Sequence, residues 1–176
     1  MTEKNGNLNN KTNTATRDRL LRYSAFLGSS GVSLGAFGAH ALKQMMVASS
    51  LDVSRVSSLQ DNWRTAVQYQ LFHAVALLAL SSLAQNDVQN AKSHHTISSS
   101  RHENIKDNSS QSSTIRSVDK IEMSGKMMFY GTMLFSGSIY CLTLGIGPKK
   151  ILGPTTPLGG LFMIGGWIVV GMITIS

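Results

Sequence analysis

The chain has 176 residues, a formal net charge of +7 and a mean hydropathy close to zero, which are the averages of a basic soluble domain. The charge is uneven, however, because four stretches contain no Asp, Glu, Lys or Arg: residues 23–42, 65–86, 127–148 and 151–176. A helix needs about 20 apolar residues to cross the hydrocarbon core of a bilayer. The pattern therefore excludes an ordinary soluble enzyme and predicts an all-α membrane protein, a compact bundle of four transmembrane helices with glycine-rich packing faces.

The polar residues between these stretches divide the chain into four parts. Residues 1–19 are rich in Asn and Thr and have almost no large apolar side chains, which is typical of a disordered polar tail. Residues 20–84 hold the first two transmembrane helices with a polar connecting segment, and residues 127–176 hold the last two. Residues 85–126 are rich in Ser, Asn and His and show no hydrophobic period, so a flexible loop is predicted there.

The first uncharged stretch is unusual in its glycine content. Its glycines are Gly28, Gly31, Gly35 and Gly38. A surface of small residues at three- and four-residue spacing allows a neighbouring helix to approach closely in lipid. An alternative is a cleaved signal peptide, because Ala39-His40-Ala41 has the small-x-small form of a cleavage site.

The second stretch follows Trp63 and Arg64, which we expect to mark the boundary between water and membrane. Its helix carries Gln70 and His73, which share one face with Ala66 because the spacings are three and four residues. Polar side chains within a span are costly unless they are paired or hydrated, so this face is a candidate functional site.

Two interpretations of the polar residues remain. In the first, they form hydrogen bonds between helices and so hold the bundle together. In the second, they line a polar pathway through the membrane. The candidate pathway residues are His40, Gln68, Gln70 and His73.

The third and fourth stretches are separated by a basic turn at residues 148–150. Because Pro154 and Pro157 oppose a helix at the start of the fourth stretch, we expect Thr156 to be the N-cap and Pro157 to take the first helical position. The packing glycines predicted in these two helices are Gly137, Gly145, Gly159, Gly160, Gly165 and Gly166.

Other classes of function find little support in the composition. The basic residues before position 23 and within residues 85–126 are not interleaved with Trp or Phe, so no nucleic-acid partner is predicted. Cys141 is the single cysteine, which allows no intrachain disulfide. The apolar runs contain no carboxylate and only two histidines, His40 and His73. We therefore predict no metal site, no cofactor and no catalytic residues.

Four blocks of sequence, in order, resemble one family. They are GAFGAHALK (35–43), WRTAVQYQLFHAVALL (63–78), LFSGSIYCLTL (134–144) and LGPTTPLGGLFMIGGW (152–167). The chain resembles the transmembrane protein 256 family, also called the domain of unknown function 423 family. The resemblance implies a small multi-pass helical membrane protein without an established activity, and it supplies no catalytic residues. The tail and the long Ser/Asn/His-rich segment depart from the family pattern.

The favoured function is a structural or assembly component of a membrane, in contact with the lipid bilayer and with copies of itself or other membrane proteins. The alternative is a small channel or transporter for protons or a small solute, lined by Gln68, Gln70 and His73. The candidate locations are a plasma membrane, a bacterial inner membrane and a mitochondrial inner membrane. Residues 1–22 and 85–126 together carry 11 of the 16 Lys and Arg residues, which favours both termini inside.

Overall fold

The computed structural model describes residues 2–49, 52–98 and 107–174. Its elements are α1 (Thr2–Phe37), a π-helical turn (Gly38–Leu42), α2 (Lys43–Ala48), α3 (Val53–Ser98), α4 (Asp107–Leu144) and α5 (Lys149–Thr174). These described ranges contain no strand. The prediction of an all-α membrane fold is confirmed.

Three helices contain segments that are long and apolar enough to cross a membrane. These segments are Val53–Gln85 in α3, Ser117–Leu144 in α4 and Lys150–Ile173 in α5. α1 is not among them, because glycine and serine replace large apolar side chains over much of its length. Several of its serine hydroxyls bond within the helix, since Ser30 Oγ donates to the Phe26 carbonyl at 2.6 Å and Ser33 Oγ to the Ser29 carbonyl at 2.9 Å. Hydroxyls bonded in this way leave no unsatisfied donor for lipid to face.

α1 runs antiparallel to α3 along most of the apolar segment of α3. The facing pairs are Gly28 with Ala74, Gly31 with Leu71, Gly35 with Val67 and Gly38 with Trp63. The advance of 10 residues from Gly28 to Gly38 is matched by a retreat of 11 residues from Ala74 to Trp63, so the two helices cover nearly the same depth. α1 is thus the fourth long member of the bundle.

α4 and α5 form a second antiparallel pair. Ser138 Oγ lies 2.6 Å from Thr156 Oγ1 near the connecting turn, and Ser124 Oγ donates to the Gly166 carbonyl at 2.9 Å further along. α4 also packs against α3, and it runs parallel to α1, where the Tyr23 and Phe129 rings stack with centroids 4.1 Å apart. α4 therefore joins the two helix pairs.

The apolar core forms two clusters. One contains Leu20, Leu27, Leu77, Leu80, Ile121 and Met128, and the other contains Leu42, Met46, Val56, Trp63, Ala66 and Tyr140. Trp63 is only 3% exposed, so its indole packs inside the bundle, while the place of residue 63 at the water boundary stays a prediction. Its Nε1 donates to the Leu34 carbonyl at 2.9 Å, and Gly38 leaves room for the indole, which a side chain at that position would overlap.

The predicted disordered tail over residues 1–19 is wrong where the structure describes it. Thr2–Phe37 is one continuous helix, and Thr16 is 1% exposed. Thr16 Oγ1 donates to Glu122 at 2.8 Å, and Arg19 forms an ion pair with the same carboxylate. Thr16 and Arg19 thus have a partner on α4, which lies about a hundred residues away and cannot be recognised from local composition.

The predicted flexible loop over residues 85–126 is also wrong over its described part, while residues 99–106 of it lie outside the described residues. α3 continues to Ser98, and α4 begins at Asp107. Val118, Ile121 and Ser124 are each 2% exposed or less, so these turns belong to the packed bundle. Their three-residue spacing marks one helix face, but the Ser- and Asn-rich residues before them conceal this short period.

α5 begins earlier than predicted. It starts at Lys149, so Pro154, Thr156 and Pro157 lie inside the helix rather than at its beginning. A proline removes a backbone donor, which threonine side chains can replace in a membrane helix. The prolines remove the donors of the Lys150 and Gly153 carbonyls, while the hydroxyl of Thr155 donates to the Ile151 carbonyl at 2.8 Å.

Candidate functional site

Gln70 is the centre of a buried polar network between three helices. It lies on α3 and is 4% exposed. Its Nε2 donates to the Leu27 carbonyl of α1 at 3.1 Å and to Ser30 Oγ at 2.7 Å. Its Oε1 accepts from the hydroxyl of Tyr140 on α4 at 2.9 Å. The amide therefore ties α1, α3 and α4 together at one level of the bundle.

His73 lies one turn further along α3 and is 3% exposed. Its Nδ1 is 2.8 Å from the Tyr69 carbonyl oxygen, which can only accept, so Nδ1 carries the proton. Nε2 is then an acceptor, and the Trp167 indole N–H of α5 lies 3.4 Å from it. Phe72 packs against both rings, with its centroid 5.6 Å from His73 and 5.9 Å from Trp167. The imidazole is thus a neutral link between α3 and α5, with both nitrogens bonded.

Serine hydroxyls add further bonds between helices. Ser24 Oγ of α1 donates to the Ala74 carbonyl of α3 at 2.8 Å, and Ser136 Oγ of α4 donates to the Ala66 carbonyl at 2.9 Å. Across the described ranges, no buried side-chain nitrogen or oxygen lacks a hydrogen-bond partner. Such a network is worth about 0.6 kcal/mol per bond in a membrane bundle and mainly fixes the arrangement of the helices.

The structure separates the four predicted pathway residues. Gln70 and His73 lie in the interior on the same face as Ala66, as their spacing predicts. Gln68 is exposed on the outer surface of α3, and His40 is exposed on the π-helical turn. The interior of the bundle therefore holds two of the four, and each of these two is already bonded to a neighbouring helix.

Seven of the predicted packing glycines do lie against another helix. They are Gly28, Gly31, Gly35, Gly38, Gly159, Gly165 and Gly166. The closest approach to the backbone of another helix is at Gly159, where an added Cβ would overlap the Phe135 backbone nitrogen and lie 2.8 Å from the Gly131 carbonyl oxygen. A side chain there would meet backbone, which cannot move aside without separating α4 from α5.

The other three predicted glycines do not pack inside the bundle. A Cβ added at Gly137, Gly145 or Gly160 would have no described neighbour within 4 Å. Gly145 instead ends α4: its φ is 71°, its N–H bonds to the Leu142 carbonyl at 3.2 Å, and the Ile146 N–H bonds to the Cys141 carbonyl at 2.8 Å. This is the Schellman ending, which requires the left-handed backbone that glycine adopts easily.

Sequence reasoning missed two packing glycines and the role of serine and threonine. Gly131 lies against Gly159 and Met163, and Gly125 lies against Leu20. Ser124, Thr132 and Ser136 recur at multiples of four residues along α4, and all three are at most 2% exposed. Treating Ser and Thr as small residues would reveal this face, because hydroxyls that bond to backbone allow close helix contact.

A charged cluster connects α1 to α4 at the end of the bundle near Ser117. Glu122 accepts from Thr16, forms an ion pair with Arg19, and lies 2.7 Å from Lys126 Nζ. Among the residues that the structure describes, no group of three or more His, Cys, Asp or Glu side chains is placed to hold a metal ion. The cluster contains two cations, Arg19 and Lys126, and one carboxylate, Glu122. An excess of cations is typical of side chains that contact a membrane surface.

The apolar outer surfaces, the long helices and the bonded polar interior define an integral, multi-pass α-helical membrane protein. The family described as "Protein of unknown function (DUF423)" matches residues 34–102 and 109–160. The chain belongs to this family, as its sequence blocks predict.

Curated relatives are membrane proteins from bacteria and yeast. The UPF0382 membrane protein YwdK of Bacillus subtilis is 31% identical over 139 residues, covering 79% of this chain and 81% of the relative. A UPF0382 membrane protein of Schizosaccharomyces pombe is 31% identical, with 82% and 91% covered. The UPF0382 inner membrane protein YgdD of Escherichia coli is 29% identical, with 89% and 91% covered. No solved structure matches the chain.

Proposed function

We propose that the protein is a non-enzymatic structural or assembly component of its membrane, and that the outer face of α5 receives a helix of a partner subunit. A second copy of the chain is the simplest partner. The inner-membrane description of the Escherichia coli relative supports an inner or plasma membrane as the location.

The outer face of α5 is the main support for this proposal. Only 17% of the most apolar stretch of α5 is buried, against 39% for the corresponding stretches of α3 and α4. Large apolar side chains that are at least 45% exposed follow this helix: Leu158, Leu161, Phe162, Ile164, Ile168 and Met172. α5 therefore has more unpartnered apolar surface than the other two apolar spans.

Glycines on α5 distinguish this surface from one made only for lipid. Gly153, Gly160 and Gly171 are 7 and 11 residues apart, which is close to two and three whole turns, so they share a face. A Cβ added at any of them would have no described neighbour within 4 Å. Glycine within a helix costs up to about 1 kcal/mol relative to alanine. Close contact with a second helix offsets that cost, whereas lipid chains do not need it.

The polar interior supports assembly better than transport. Gln70 and His73 are the buried members of the proposed pathway. Gln70 bonds to α1 and α4, and His73 bonds to Tyr69 of its own helix and to Trp167 of α5. Gln68 faces outward and adds nothing to an interior path. Bonds of this kind hold helices together, which is what a packing subunit requires.

The experiment compares Gly160→Leu with Gly137→Leu by native mass spectrometry after purification in a mild detergent. Both glycines have open space for a side chain, but Gly137 lies on α4 and outside the proposed face. We expect the native chain to be part of a larger assembly, which Gly160→Leu dissociates and Gly137→Leu preserves. A native chain that is monomeric without a co-purifying protein, or an assembly that Gly160→Leu leaves intact, would contradict the proposal.

The channel alternative is tested separately by flux into proteoliposomes that contain the native chain or His73→Ala. An assembly component gives no proton or solute flux above that of empty vesicles. A flux that disappears in His73→Ala, with the helical content unchanged, would favour the channel instead.

A further inference from the structure

We propose that α4 binds the headgroup of a phospholipid with a primary ammonium, phosphatidylethanolamine, at the end of the bundle near Ser117. A depression of about 370 Å³ opens on this part of α4. Its lining residues are Asp119, Glu122, Met123, Lys126 and Met127. They combine both signs of charge with two apolar side chains, which is the composition that the polar and apolar ends of a lipid require.

The order of these residues along α4 matches the order of groups in the lipid. The apolar segment begins at Ser117, so Asp119 lies nearest to water, and Met127 lies about 12 Å deeper at 1.5 Å per residue. Lys126 extends outward, because its Nζ lies 2.7 Å from Glu122 Oε1, one turn nearer to water. The ammonium of Lys126 therefore lies at the level of Glu122, between the carboxylate of Asp119 outside and Met127 inside. A bound lipid presents its ammonium, phosphate and acyl chains in this same order.

The local charge balance favours a phosphate beside Lys126. Glu122 is shared by Arg19 and Lys126, so these three side chains together carry one net positive charge, and the carboxylate of Asp119 lies one turn nearer to water. The side chain of Lys126 is 45% exposed and can bond to a second anion. A lipid phosphate in the depression would form an ion pair with Lys126 at the membrane surface, where each cation contributes to the binding of anionic groups.

Asp119 selects the ethanolamine headgroup over two common alternatives. Its side chain is exposed, and it forms no ion pair with any residue in the described ranges. A primary ammonium can donate hydrogen bonds to this carboxylate, whereas the quaternary ammonium of choline has no donor. A glycerol headgroup has no positive charge at all to place beside Asp119.

The experiment measures which lipids stay bound to the full-length protein. The chain is reconstituted in nanodiscs of equimolar phosphatidylethanolamine, phosphatidylcholine and phosphatidylglycerol, released into a mild detergent, and analysed by native mass spectrometry. We compare Asp119→Asn and Lys126→Met with the matched changes Asp61→Asn and Lys43→Met, whose exposed side chains lie outside the depression. Asp119 takes no part in the Glu122 cluster, so Asp119→Asn tests the site even if Lys126→Met fails to fold.

We expect phosphatidylethanolamine to be enriched over the other two lipids in the native chain and in both matched controls. Asp119→Asn should lower that enrichment about threefold, the effect of one exposed charge pair, without changing the retention of phosphatidylglycerol. Lys126→Met should lower the retention of phosphatidylethanolamine and of phosphatidylglycerol. Equal retention of all three lipids by the native chain, stronger retention of phosphatidylglycerol, or enrichment that Asp119→Asn leaves unchanged would overturn the proposal.

Discussion

The interface between α1 and α3 and the interface between α4 and α5 both depend on glycine, but the glycines meet different atoms. A Cβ added at Gly31 of α1 would lie 2.9 Å from Leu71 Cδ2, the end of a flexible side chain. A Cβ added at Gly131 of α4 would lie 2.8 Å from the backbone nitrogen of Met163 and 2.9 Å from the Gly159 carbonyl oxygen. Side chains thus separate the first pair of helices, whereas the second pair is in backbone contact.

The two helix pairs are therefore held together in different ways. Backbone contact gives α4 and α5 a large dispersion energy but no freedom to adjust. α1 and α3 keep a layer of side chains between them and gain specific bonds instead, from Gln70 to Leu27 and from Trp63 to Leu34. We therefore expect α4 and α5 to be intolerant of added volume and α1 and α3 to be sensitive to lost polar bonds.

The largest effect is expected for Gly159→Ala. The added methyl group would collide with α4 backbone, which must move away, at a cost of about 3 kcal/mol or more. Gly137→Ala is the control on α4, outside the proposed partner face, where space is open and alanine is the better helix former. Unfolding in mixed detergent measures both variants. Equal stability of the two would show that α4 and α5 are not in backbone contact.

A smaller loss of stability is expected for Gln70→Leu. This change removes the amide that bonds to the Tyr140 hydroxyl, to Ser30 and to the Leu27 carbonyl. Three lost bonds at about 0.6 kcal/mol each amount to about 2 kcal/mol. Gln68→Leu, on the exposed side of the same helix, should be neutral. If Gln70→Leu were as stable as Gln68→Leu, polar bonds would not hold α1 to α3.

Gly31→Ala should lower the free energy of unfolding by about 1 kcal/mol, clearly less than Gly159→Ala. The Leu71 side chain can change its rotamer to accommodate the methyl group, at the ordinary cost of an off-rotamer shift. The same detergent titration measures the difference. A loss as large as that of Gly159→Ala would remove the distinction between the two interfaces.

The smallest effect is expected for Trp167→Phe. The N–H of Trp167 lies 3.4 Å from His73 Nε2, which is long for a hydrogen bond, so its loss should cost about 0.5 kcal/mol or less. Trp63→Phe, which removes a 2.9 Å bond to the Leu34 carbonyl, should cost more. If Trp167→Phe cost more stability than Trp63→Phe, the hydrogen bond between α3 and α5 would be stronger than the one between α3 and α1.

Much of the fold could be predicted from the sequence because charge-free runs and glycine spacing are local signals. The apolar runs of α3, α4 and α5, and the inward face of Gln70 and His73, follow from composition and period alone. The buried position of Trp63 could not be predicted, because it depends on Gly38 of another helix. The helical tail likewise depends on Glu122, about a hundred residues away.

The glycines show the same limit in a different way. Spacing identified Gly159 and Gly166 correctly as residues in close contact, but it gave the same role to Gly145, which ends α4. It also missed Gly131, whose importance comes from the register between α4 and α5. Sequence period finds a face, whereas the partner and the distance come from the tertiary arrangement.

The most direct test concerns α1, which the structure places at the depth of α3 despite its lower hydropathy. Single cysteines at exposed positions, Thr12→Cys and Gln44→Cys, are introduced separately into Cys141→Ala and labelled with a membrane-impermeant maleimide on either side of sealed vesicles. If α1 crosses the membrane, the two positions are labelled from opposite sides, and Lys150→Cys is labelled from the same side as Gln44→Cys. Labelling of Thr12→Cys and Gln44→Cys from one side would contradict the four-span bundle.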